Sequence, residues 1–233
     1  MWWLWLYVAA MAAGALLFLR WHADPRGVPR IEYRVAIAIP VWSGLWYTLM
    51  ALGGGRTDGD DHPIYWARYV DWTVTASLLL VALVLTATHA LPGRHPTLLA
   101  ALVGTNVAML LSGFLADLTT DPWARYLLFG LGSLGLLVVL ALIWGPLRAV
   151  ARRQPDGLYH TYREAAALLS VLWAGYPLIW ILGPSGVELL GAAVVSGLFV
   201  ALSIASKVGW SIIDLGRLRA LSARGELSLR NPP

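Results

Sequence analysis

Four ionisable residues stand inside long apolar runs of the sequence: Arg68, Asp71, Lys207 and, near the end of its run, Asp214. A charge in hydrocarbon is costly unless it is paired, so such residues turn towards a bundle interior and mark function. Lys207 is the only lysine in the chain, every other basic side chain apart from histidine being arginine. A site that needed only positive charge would accept arginine. Lysine adds an amine that can shed its proton and condense with an aldehyde to form a Schiff base, and burial of an amine favours that neutral form. The plainer alternative is a structural lysine held by a carboxylate.

In the third apolar run Arg68, Asp71, Thr75 and Ala82 follow at steps of three, four and seven residues, which puts them on one helical face. Asp71 is then placed to be the counterion of a protonated Schiff base, with Arg68 supporting its ionised form and Thr75 offering a hydroxyl; an Arg–Asp pair that only joins helices is the other reading. In the last run Ser203, Lys207 and Asp214 share a face, with Asp214 two turns, roughly 10 Å, inward of the lysine. Asp214 is a candidate proton acceptor, or else the partner of Arg217 in an interfacial salt bridge. Trp173, Tyr176 and Trp180 recur around Pro177 as one aromatic face with a kink. That face is either packing or, together with Trp72, a flat slot for a conjugated polyene.

The elements that must position these residues follow from composition. Of 233 residues 58% are hydrophobic and only 13% charged, too little polar surface for a soluble globule. Apolar runs of spanning length predict an all-α membrane protein, a seven-transmembrane-helix bundle with helices at 2–20, 34–53, 64–90, 96–117, 123–147, 159–182 and 189–216. Residues 1–220 form one membrane domain and 221–233 a short cytoplasmic tail. Arginines gather in alternate connections (Arg20, Arg26, Arg30 and Arg34; Arg94; Arg148, Arg152, Arg153 and Arg163; Arg217, Arg219, Arg224 and Arg230), which puts those connections in the cytoplasm, the N-terminus outside and the C-terminus inside. The opposite connections carry Asp58, Asp60, Asp61, Asp117, Asp121 and Glu188 against Arg56 and Arg125. Trp2, Trp3, Trp5, Trp21 and Trp123 read as interfacial anchors. The run from Trp2 to Leu19 lacks a basic leader and a small-residue cleavage site and reads as a retained first helix. With no cysteine there is neither a disulfide framework nor a thiolate metal site, and no metal is expected. The basic residues are spread between apolar runs, so nucleic acid is not an expected partner.

The stretches PIYWARYVDWTVT (63–75), ALVGTNVAML (101–110), VLWAGYPLIWILG (171–183) and SIASKVG (203–209) resemble microbial rhodopsins, in the right order and through helices two to seven. The resemblance implies all-trans retinal on Lys207, Asp71 as primary counterion, and a pocket of Tyr69, Trp72, Thr75, Asn106, Met109, Gly113, Phe129, Ser133, Trp173, Tyr176 and Trp180. It further implies a multi-pass protein of the cell membrane, photochemistry coupled to protons in place of enzymic turnover, lipid as partner, and a homo-oligomer, trimer or dimer.

The departures from that family bear on subtype. Outward proton pumps carry a carboxylate eleven residues after the counterion, where this chain has Ala82, and an aspartate four residues before the lysine, where it has Ser203. Their outer release glutamates are replaced by Ser185 and Val195. The segment KVGWSIIDLGRLR (207–219) is similar to xenorhodopsins and the related cyanobacterial sensory rhodopsin, in which an aspartate seven residues after the lysine takes the proton on the cytoplasmic side; Asp214 matches it. That group commonly has proline where Ser203 stands. The expectation is a light-driven inward proton pump, with a sensory rhodopsin signalling to a transducer as the alternative.

Overall fold

Prolines and glycines punctuate the helices where the sequence has them. The computed structural model describes residues 2–58, 63–92 and 95–227, with seven helices among them. These are α1 (Trp2–Ala23), α2 (Arg30–Ala51), α3 (Trp66–Ala87), α4 (Pro96–Leu118), α5 (Pro122–Ala151), α6 (Asp156–Leu182) and α7 (Ala192–Ala223). α4 and α5 begin on a proline, whose missing N–H costs nothing in a first turn, and Asp121 caps α5 by accepting from the Trp123 N–H at 3.1 Å. Pro29 and Pro155 occupy the cap positions of α2 and α6. A two-residue antiparallel ladder, β1 (Thr57–Asp58) with β2 (Pro63–Ile64), joins α2 to α3.

Each helix packs on the next and α7 returns to α1, closing a ring, while α3 also reaches α6 across it. α1 and α7 approach closely at Gly14, where an added Cβ would stand 2.7 Å from Val208 Cγ2. The outward surface is apolar, with Leu16, Leu45, Leu127, Leu134, Leu137 and Val171 exposed, whereas Ser43, Asp71, Thr75, Asn106, Ser203, Lys207 and Asp214 are buried within the largely hydrophobic interior. That arrangement suits lipid as solvent. Among the described residues six helices are long and apolar enough to cross a membrane; α2 falls short by composition because it opens on Arg30, Glu32 and Arg34 and carries Pro40.

Two helices contain π-helical turns. One, Ile143–Leu147 in α5, holds Pro146, which removes a ladder N–H. The other, Ala205–Gly209 in α7, holds Lys207, and single π-turns of this kind recur at functional positions.

Several bounds differ from expectation. α2 starts at Arg30 and not at 34, α5 runs to Ala151, and α7 spans Ala192–Ala223 where 189–216 was expected. In each case the backbone ladder continues through charged residues that a composition reading assigns to loops. The tail boundary at 220 falls inside α7, and Leu221 and Leu227 are buried beside Leu158. Trp2, Trp5 and Trp123 are exposed as anchors should be, but Trp3 and Trp21 are half-buried, Trp21 lying under the Arg219 guanidinium at 5.0 Å. Asp60, Asp61, Arg94 and Arg230 lie outside the described residues.

Candidate functional site

Lys207 sits where four helices meet. Its Nζ donates to Asp71 Oδ2 of α3 at 2.5 Å, to Ser43 Oγ of α2 at 2.9 Å and to Tyr7 OH of α1 at 3.1 Å, so every N–H of an ammonium has an acceptor. The Tyr7 hydroxyl and Ser43 Oγ are themselves 2.6 Å apart, and the Tyr7 ring stacks on Tyr47 with centroids 3.7 Å apart. Lys207 is 2% exposed and Asp71 0%. Burying two charges costs several kcal/mol per ion, which their attraction offsets only with good geometry and additional hydrogen bonds; the hydroxyls of Tyr7 and Ser43 supply those bonds. Neither residue was singled out by sequence. Their contacts with Lys207 span 200 and 164 positions, and the one local hint was that Ser43 and Tyr47 share a face of α2 at a four-residue step.

An apolar cavity reaches Lys207 and Ser206. Of the expected pocket residues it is lined by Tyr69, Trp72 and Thr75 from α3, Met109 and Gly113 from α4, Phe129 and Ser133 from α5, and Trp173, Tyr176 and Trp180 from α6. Trp72 meets Tyr176 edge-on at 5.1 Å and Phe199 at 5.3 Å, while Phe129 stacks on Trp180 at 4.3 Å. The lining adds Leu79, Leu110, Leu136, Pro177, Phe199 and Ser206 to the expected set. Asn106 is buried but stands off the lining, its Nδ2 donating to Ser77 Oγ at 3.2 Å.

Other expected residues stand differently from their anticipated contacts. Among the described residues no ion pair joins Arg68 to Asp71; the guanidinium lies instead over the rings of Tyr65, Trp72 and Phe199 at 5.1–5.8 Å. Asp71 is already engaged by Lys207, and a guanidinium is weakly enough hydrated to rest on aromatic faces. Thr75 Oγ1 donates back to the Asp71 carbonyl at 2.8 Å, so its hydroxyl serves the helix. Ser203 Oγ pairs with Tyr176 OH at 3.1 Å. Asp214 is 3% exposed and is not bridged to Arg217, which pairs with Glu164 at 2.9 Å. Both Asp214 oxygens accept from Thr86 Oγ1, at 2.9 and 3.1 Å.

A seven-helix membrane bundle with one buried amine, one carboxylate on it and an aromatic-walled cavity beside it defines a class of chromophore-holding membrane proteins, and the comparisons agree. A family model described as "Bacteriorhodopsin-like protein" matches residues 1–221. Bacteriorhodopsin-I of Haloarcula marismortui is 33% identical, covering 91% of this chain and 88% of that protein; sensory rhodopsin-2 of Natronomonas pharaonis is 32% identical, covering 97% and 92%. The crystal structure of thermophilic rhodopsin from Rubrobacter xylanophilus superposes with a TM-score of 0.88 at 33% identity, over 96% of this chain and 97% of that one. The chain belongs to the bacteriorhodopsin-like family of microbial rhodopsins, integral membrane proteins that work as light-driven pumps or sensors.

The family binds retinal, and the residues here fit such a group: the cavity's only amine is Lys207, and flat rings from α3, α5 and α6 wall an otherwise aliphatic space.

Proposed function

We propose that the protein is a light-driven inward proton pump of xenorhodopsin type, with all-trans retinal held on Lys207. Bound retinal supplies light absorption and a change of shape that re-aims the Lys207 nitrogen. The chain's own groups supply the rest. Asp71 holds the negative charge against that nitrogen, and Tyr7 and Ser43 fix the direction in which its hydrogen points. Trp72, Trp173, Tyr176 and Trp180 confine the ligand and exclude water.

The observation that carries the inward direction is the state of Asp214. It is a buried carboxylate with a hydroxyl donor and no arginine on it, on the side of the bundle where the arginine-rich connections gather. By the positive-inside rule that side is cytoplasmic, which sets the N-terminus outside. Ala82, one helical turn from Thr86, is apolar and buried, so α3 offers no carboxyl on that side to refill the nitrogen from within. The proton accordingly leaves towards Asp214, and its replacement comes from the outer side, past Asp71 and the cavity that Arg68 lines.

Illuminating cells that express the protein while recording external pH tests the direction. Alkalinisation abolished by a protonophore is the expected result; acidification contradicts it. Likeness to sensory rhodopsin-2 favours a second reading, signalling to a transducer without net transport, for which illumination leaves the external pH unchanged.

A further inference from the structure

Beyond Asp214 the inner end of the bundle contains a second buried ionic group to which none of the roles above applies. His89, just past the end of α3, and Glu32, in the first turn of α2, are an ion pair when the ring is protonated, with Nδ1 and Oε1 2.7 Å apart. Their side chains are only 5% and 6% exposed. A pair buried this deeply is a poor way to gain stability, and it caps neither helix. Glu32 Oε2 is buried and has no hydrogen-bond partner among the described residues.

The pair adjoins Asp214. Thr86, whose hydroxyl binds both oxygens of Asp214, stands one turn before His89, whose ring in turn meets Glu32. Gln154, in the connection between α5 and α6, clamps the same turn: its Nε2 donates to the Thr86 carbonyl at 3.0 Å and its Oε1 accepts from the Ala90 N–H at 2.9 Å. The titratable groups converging here are thus Glu32 from α2, His89 from the turn after α3 and Asp214 from α7, with Thr86 and Gln154 as neutral links.

We propose that Glu32 and His89 form the relay that carries the proton from Asp214 to the inner aqueous face. This rests on the reading of Asp214 as acceptor. The O–H bond of protonated Asp214 breaks and one forms on the Glu32 carboxylate, cancelling its charge. The His89 imidazolium, no longer facing an anion, releases its own proton to the inner side. That release empties Nε2; the ring then turns to bring Nε2 to Glu32, takes the proton from its carboxyl and restores the pair. One proton enters the relay, one leaves it, and Asp214 is again a carboxylate.

The test follows two signals in the retinal-loaded protein after a flash: the chromophore band, which reports when the Lys207 nitrogen loses its proton, and a soluble pH dye, which reports when a proton reaches bulk. In Glu32→Gln the first signal keeps its wild-type timing and the second is delayed by roughly tenfold or more, the scale on which one proton-transfer group acts; Glu32→Asp, which keeps the carboxylate, restores early release. Should Glu32→Gln form no pigment, His89→Gln carries the same comparison. Release at wild-type speed in these variants overturns the relay, as does an equal slowing of both signals. Asp214→Asn separates the two claims: if it leaves both signals unchanged, the acceptor reading fails, whatever the relay variants do.

Discussion

An ammonium in the middle of a bilayer has three N–H groups to satisfy, and Lys207 satisfies them with one carboxylate and two hydroxyls drawn from three helices. The carboxylate matters most, because removing one partner of a buried ion pair leaves an uncompensated charge. Asp71→Asn is therefore expected to destabilise the retinal-free protein by on the order of 3–5 kcal/mol, read from denaturant unfolding in micelles; an unchanged midpoint would mean that the pair contributes nothing. That Lys207 and Asp71 meet was legible from residue type and helical spacing, since a lone lysine in an apolar run needs a carboxylate partner. Tyr7 and Ser43 were not, because hydroxyl side chains are common in spanning helices and only the fold brings these two to the lysine. Arg68 shows the converse: spacing put it on the face of Asp71, yet three aromatic rings hold its guanidinium, a competition that spacing alone does not reveal.

Among the elements, α7 carries Lys207 and α1 packs closely behind it. Gly14 lets α1 lie against Val208, the neighbour of Lys207. Gly14→Val should cost about 1–3 kcal/mol through overpacking, and Val208→Ala should recover part of it in the double variant, both read by thermal unfolding; additive losses would show that the two residues do not touch. The apolar runs revealed the helices because each must satisfy its own backbone and face lipid. Their arginine-rich ends were less legible: Arg30 to Arg34 and Arg217 to Ala223 look like loop by composition but remain helical because the ladder does not stop where lipid does. The π-turn at Lys207 leaves no mark in the sequence, since nothing in ASKVG forbids an ordinary helical turn.

At the scale of the whole molecule the ring of helices separates two polar ends by an apolar middle that contains one ion pair and the cavity beside it. One end has a cavity lined by Arg68 and Asp117; the opposite, arginine-rich end has Asp214, Glu32 and His89. Seven helices and a site on the last of them followed from hydropathy and one lysine, whereas the inner cluster did not, because Glu32 and His89 lie 57 positions apart in segments that read as loop or boundary. The two ends are useful to light-driven transport only if the chromophore is attached between them. The absorption spectrum of Lys207→Ala after addition of all-trans retinal decides that point. With the only lysine side chain removed, no visible band should form while the wild-type protein gives one; a visible pigment in the variant would contradict the account at its centre.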